Sequence, residues 1–181
     1  MNLRTALHLG LITSLGSLGV LLVSDCTEDA RLDNRREAAQ SSLMELLQRG
    51  EHFHMDIDAH SLEQPTALCD GQGTLQAIIY PGTGTGYAGE IDFIAALNME
   101  GEVTGVRVTS HAETPGIGDV IETAKSPWVH SLASRPRDAT AWKLARDGGD
   151  IDGISGATIT LRGLLRGLDE ALSQDSPTCP Q

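Results

Sequence analysis

The chain has 181 residues and a formal net charge of −12, long enough for one domain with a real core plus a short extra element. That acidic balance excludes nucleic acid as a partner, because phosphate contacts need clustered Lys and Arg. Only 3% of residues are aromatic, so a bound cofactor has to be gripped mainly by aliphatic side chains and backbone groups rather than by stacking.

From Ala6 to Val23 there is no Asp, Glu, Lys or Arg. At ~1.5 Å per residue the run reaches roughly 27 Å, close to a ~30 Å hydrocarbon core. A single transmembrane anchor within residues 1–25 is the favoured reading. A cleaved signal peptide stays open, although the run ends Val23-Ser24-Asp25-Cys26 without a clean small-x-small site. A lipoprotein signal would use Cys26, for which Asp25 is a poor neighbour, and a buried soluble helix is least favoured at a chain end. Arg4 precedes the run, whereas Asp25, Glu28 and Asp29 follow it. The positive-inside rule then puts the first residues in the cytoplasm and the bulk of the chain across the membrane, an orientation softened by Arg31, Arg35 and Arg36.

Residues 26–50 read as a polar helical stalk with the apolar stripe Leu43, Leu46 and Leu47, and residues 51–181 as the domain it carries. His52, His54 and His60 lie close together, but no further ligand follows at a recognisable spacing, so no metal is expected. Cys26, Cys69 and Cys179 lack metal-type spacing too. Cys69 and Cys179 either pair and tie down the C-terminal tail or remain free thiols.

Thr74–Tyr80 predicts a strand. The alternating glycines of Pro81–Tyr87 predict a loop, read as a flexible turn rather than a phosphate-binding loop, since no Gly-Lys-Ser/Thr follows. Ile91–Leu97 and Val103–Thr109 flank Asn98–Gly101 as a β-hairpin. A loop, His111–Asp119, comes next, in which Pro115 fixes one backbone angle and Gly116 and Gly118 relax others. Val120–Ala133 predicts a helix, with a cap at Ser126 before Pro127. Trp142–Ala145 predicts another strand. The final helix is expected over Gly156–Ser173, with Ile159, Leu161, Leu164, Leu165, Leu168 and Leu172 as its apolar face.

Asp152-Gly153-Ile154-Ser155-Gly156-Ala157-Thr158 leads into that helix. With Ser155 as N-cap, Thr158 falls in the first turn, where unpaired N–H groups and the positive end of the helix dipole favour an anion. Gly156 and Ala157 are small, leaving room for a bulky adduct. Plain capping is the simpler explanation of the serine, although the third helical position is Thr158 and not the Glu or Gln of a capping box. Asp147, Asp150 and Asp152 do not fit a calcium loop, because Ile154 and Gly149 fall at ligand positions.

The seven-residue string resembles the acceptor sequence on which a flavin transferase links FMN through its phosphate to a threonine hydroxyl. Glu113-Thr114-Pro115-Gly116-Ile117-Gly118-Asp119, read with Ile121-Glu122, resembles the loop of the G subunit of the Rnf (Rsx) electron-transport complex. The C subunit of the sodium-pumping NADH:quinone reductase carries a similar loop. The resemblance covers nearly the whole chain, is dense in the two motifs and is thin between Asn34 and Gly73. It implies an α+β fold: an N-terminal transmembrane helix, then one exported FMN-binding domain with a small antiparallel sheet and packed helices. It further implies that the motifs meet, that Thr158 carries FMN as a phosphoester, and that Asp152, Ser155, Gly156 and Ala157 serve its attachment. Glu113, Thr114, Pro115 and Gly116 are then expected at the flavin, with His111 either tuning it or bonded structurally.

The implied function is electron relay within a membrane-bound, ion-translocating ferredoxin:NAD oxidoreductase of the bacterial inner membrane, with sodium or protons as coupling ion. Other subunits of that complex and a maturing flavin transferase are the implied partners. No catalytic residue of its own is expected, since the flavin carries the chemistry. The quinone-reductase subunit and a free exported flavin carrier remain as alternatives.

Overall fold

The structure, a computed structural model, describes residues 64–138 and 140–179, together with His8, Thr13, Ser17, Glu37 and Ser41 ahead of them. Two compact units divide the chain at Glu37 and Ala38. In the first, His8, Thr13, Ser17 and Glu37 are helical and exposed. Among the described residues no helix is long and apolar enough to cross a membrane. Most of the expected anchor and stalk, and His52, His54 and His60, lie outside the described residues.

The second unit is built on one five-stranded sheet: β1 (Thr66–Cys69), β2 (Leu75–Thr85), β3 (Glu90–Leu97), β4 (Glu102–His111) and β5 (Arg135–Pro136). The strands neighbour one another in sequence order and every pairing is antiparallel. The hairpin expected around Asn98–Gly101 forms as β3 and β4, because alternation puts Ile91, Phe93, Ala95 and Leu97 on one buried face. A long helix, α1 (Thr158–Leu172), packs against β2. Leu161, Leu164, Leu165, Leu168 and Leu172 seat it in a core shared with Ile78, Tyr80, Phe93, Val106, Trp128 and Leu144.

Four expectations are corrected. Pro81–Thr85 is not a loop but the second half of β2, paired with Glu90–Ile94. β1 pairs with β2 only as far as Ile79, so among the described residues no strand lies beside Pro81 on that side whose ladder its missing N–H would break. The glycines serve helix packing: a Cβ on Gly84 would stand 2.3 Å from the carbonyl oxygen of Gly163, and one on Gly163 would stand 2.1 Å from that of Thr85. Backbone therefore meets backbone where α1 crosses β2.

Val120–Ala133 is not one helix but two short 3-10 turns, Asp119–Ile121 and Trp128–Leu132. Pro127 cannot donate to a preceding turn, and the Ser126 hydroxyl accepts from the Trp128 amide at 3.2 Å, starting the second turn afresh. Trp142–Ala145 makes only an isolated bridge, Leu144 with Ile151, before a 3-10 turn over Ala145–Asp147. Ile159, expected in the core, is 52% exposed. Within residues 64–179 the packed helices thus reduce to one α-helix and three 3-10 turns.

Cys69 and Cys179 are disulfide-bonded, fastening the tail after α1 to β1. Arg137 adds a second fastening: its guanidinium donates to the Tyr80 hydroxyl and the Gln174 carbonyl, both at 2.7 Å.

Candidate functional site

The turn into α1 is set by Gly156, whose φ of +91° is a left-handed conformation that side chains disfavour. Because the chain turns there, the helix starts two residues later than a Ser155 cap requires. Ala157 occupies the cap position with no side-chain hydrogen bond, and Ser155 stays exposed. Thr158 is half-buried and is the first helical residue rather than the expected third, which keeps it in the first turn. An uncapped start leaves first-turn N–H donors for another acceptor. Upstream, Trp128 Nε1 donates to the Asp152 carbonyl at 2.6 Å, holding that backbone while Asp152 remains exposed.

The two motifs meet. Thr160 Oγ1 donates to Glu113 Oε2, and the Ala88 amide donates to Glu113 Oε1 at 2.9 Å. Glu113 is only 5% exposed, so both carboxylate oxygens are spent on bracing the start of α1 against the β2–β3 turn. Around this brace lies a cleft of about 400 Å³, lined by Tyr87, Glu113, Thr114, Ile117, Gly118, Gly156, Ile159 and Thr160. Tyr87, Ile117 and Ile159 are 72%, 54% and 52% exposed, a concentration of bared apolar side chains at one cleft. Such a volume with apolar walls and a few polar groups suits a planar cofactor ring.

The loop beside the cleft is held by charge. The Gly116 amide donates to Asp119 Oδ1 at 2.9 Å and Lys125 Nζ bonds Asp119 Oδ2 at 2.9 Å, which together hold the Asp119 carboxyl below the ordinary carboxylate range. Lys125 also bonds Glu122 Oε1 at 2.9 Å, lowering that carboxyl, with a smaller contribution from His111. His111 Nδ1 accepts from the Glu113 amide at 3.1 Å, so its Nε2 carries the proton given to Glu122 at 3.0 Å. His111, the last residue of β4, is thus hydrogen-bonded through both ring nitrogens.

Of the expected residues, Glu113, Thr114 and Gly156 line the cleft; Thr158 is not itself a lining residue but lies in sequence between two that are, Gly156 and Ile159. His111, Pro115, Gly116, Asp152, Ser155 and Ala157 are not among its lining residues. The sequence missed Tyr87, Thr160 and Arg146. Tyr87 supplies the aromatic group that the scarce aromatic content argued against, and only its position after the glycine run hinted at exposure. Arg146 Nη1 donates to Thr158 Oγ1 at 3.3 Å, a contact that no spacing rule signals. Among the described residues no group of acidic, His or Cys side chains is arranged to hold a metal.

Residues 86–173 match the FMN-binding domain family, so the match takes in both motifs and the cleft between them. The chain is 36% identical to the G subunit of the ion-translocating oxidoreductase complex of Pseudomonas aeruginosa, over 94% of this chain and 86% of the relative. The G subunit of Stutzerimonas stutzeri is 35% identical over 92% of this chain and 78% of the relative. That of Cereibacter sphaeroides is 35% identical over 94% and 83%, respectively. The crystal structure of NqrC from Shewanella oneidensis is 26% identical, with a TM-score of 0.48 over 59% of this chain and 54% of that one.

Proposed function

The chain belongs to the G-subunit family of ion-translocating oxidoreductase complexes, with an FMN-binding domain, and we propose that it relays electrons through FMN esterified to Thr158. An FMN-binding, electron-transferring subunit of such a complex is what the family membership establishes. The covalent tether, the residues around the flavin and the membrane topology are our own reading.

The carrying observation is the closure of the Glu113–Asp119 loop and the Gly156–Thr160 turn on one cleft, with Thr158 between two lining residues. Tyr87, Ile117 and Ile159 would cover apolar parts of the ring, while Thr114 would supply a polar contact. Glu113 would act through position, holding the two walls at fixed separation, because its carboxylate is already spent on Thr160 and Ala88. Gly156 and Ala157 would leave the Thr158 hydroxyl accessible to a flavin transferase, and the exposed Asp152 would meet that enzyme. Pro115, Gly116 and His111 would keep the loop in shape. When bound, FMN supplies reversible electron carriage, and the protein supplies position and electrostatics. The charge-free run Ala6–Val23 supports a single anchor in the bacterial inner membrane, with the flavin domain on the periplasmic side.

Protein co-produced with its flavin transferase should keep flavin fluorescence through denaturation and gel separation. Thr158→Val should lose it. A dark wild-type band would overturn the ester.

A further inference from the structure

Arg146 and Thr158 lie on separate segments that the fold brings into contact. Arg146 sits in the 3-10 turn Ala145–Asp147, which is pinned from both sides. The Ala145 amide donates to the Ile151 carbonyl at 2.8 Å, and the Gly149 amide donates to the Leu144 carbonyl at 3.1 Å. From that fixed turn the Arg146 guanidinium reaches the Thr158 hydroxyl. Among the described residues Arg146 hydrogen-bonds no carboxylate and acts on its neighbour Asp147 only through space, so most of its five donors are uncommitted.

The neighbouring charges form a chain. Asp147 receives both Arg162 Nε, at 2.6 Å, and Arg162 Nη2, and its carboxyl is held below the ordinary range chiefly by that arginine. Arg162 lies one helical turn beyond Thr158 on the same stripe of α1. Arg146, Asp147 and Arg162 together therefore carry one surplus positive charge beside a neutral hydroxyl, in a chain whose formal net charge is −12. A phosphodiester at Thr158 would carry one negative charge and cancel that surplus.

We propose that Arg146 is the phosphate-binding residue of the Thr158 site: it stabilises the phosphate while the ester forms and holds the phosphodiester afterwards. The proposal rests on the reading of Thr158 as the esterified residue. An alcohol does not displace water from a phosphate monoester to any useful extent in water, so the donor must be a flavin nucleotide anhydride, of which FAD is the simplest. Thr158 Oγ attacks the FMN-side phosphorus, and a new oxygen–phosphorus bond forms. The phosphoric anhydride bond breaks, AMP leaves with the electron pair, and the hydroxyl proton passes to a base of the transferase. Nothing is oxidised or reduced. Negative charge gathers on the non-bridging oxygens, where a guanidinium is most effective.

The full chain, flavin transferase, magnesium and FAD give the test, read as the initial rate at which flavin becomes fixed to the denatured chain. Arg146→Gln should slow that rate by about fivefold, the scale of an exposed charged contact. It should also flatten the fall in rate with added salt that a charge contact confers. Arg146→Lys, which keeps the charge, should restore most of both. In the loaded protein the phosphorus-31 resonance should shift between wild type and Arg146→Gln. A glutamine variant with the wild-type rate, salt dependence and resonance would overturn the role of Arg146 and leave the ester standing. No ester on the wild type, or an ester that survives Thr158→Val, would instead overturn the reading of Thr158.

Discussion

Thr160 donates a hydrogen bond to Glu113 across 47 residues of sequence, and that bond joins the two motifs. It fixes the separation of the loop and the helix start on either side of the cleft.

Thr160→Val should leave one Glu113 oxygen buried without its donor. We expect a cost of about 1–3 kcal/mol, measured by urea denaturation. FMN affinity should fall as well, because the cleft walls lose their brace. The double variant Thr160→Val with Glu113→Gln should lose less than the sum of the two single changes, since the sites are in contact.

Gly163→Ala places a Cβ 2.1 Å from the Thr85 carbonyl oxygen, an approach the strand cannot accommodate without moving α1. A loss of about 2–3 kcal/mol is expected in chemical denaturation. Gly148→Ala is the contrast: nothing lies within 4 Å of its Cβ, and any cost there comes from its φ of +87° alone.

Much of this was legible in sequence. Period-two alternation announced β3 and β4, and the leucine spacing announced α1, because both elements bury one continuous face. The glycines of β2 misled, since local rules treat Gly as a breaker while here it admits a helix backbone. Ser155 misled in the opposite way: its type suits a cap, but the left-handed turn at Gly156 moves the helix start past it. At the site, Thr158 and the loop motif were visible as strings. Tyr87, Thr160 and Arg146 take their places from tertiary contacts between distant segments, which no local pattern encodes.

Acid should loosen the loop beside the cleft. Asp119 and Glu122 have carboxyls held below their ordinary range, so their contribution to stability is complete above that range and is lost as pH falls through the lowered values. Lys125 is shifted upward, chiefly by Glu122, so its contribution is complete at neutral pH and lost only above the ordinary lysine range. Thermal midpoints should therefore hold steady through neutrality and drop in strong acid. Lys125→Met should shrink that acid-side drop, and hydrogen exchange at the Gly116 amide should quicken in Asp119→Asn.

Reduction should free the tail. The Cys69–Cys179 bond closes 110 residues of chain, and Cys179→Ser should cost about 2–4 kcal/mol by chemical denaturation. Arg137, with its bonds to Tyr80 and Gln174, should keep part of the tail in place, so Arg137→Ala together with Cys179→Ser should release it further.

The central claim is that Thr158 carries the flavin. Protein purified from cells that also make its flavin transferase, digested and sequenced by tandem mass spectrometry, addresses it directly. We expect the peptide containing Thr158 to be heavier by one FMN less one water, with fragmentation placing the phosphate on Thr158. An unmodified Thr158 peptide, or the same mass increment on another residue, would contradict the account.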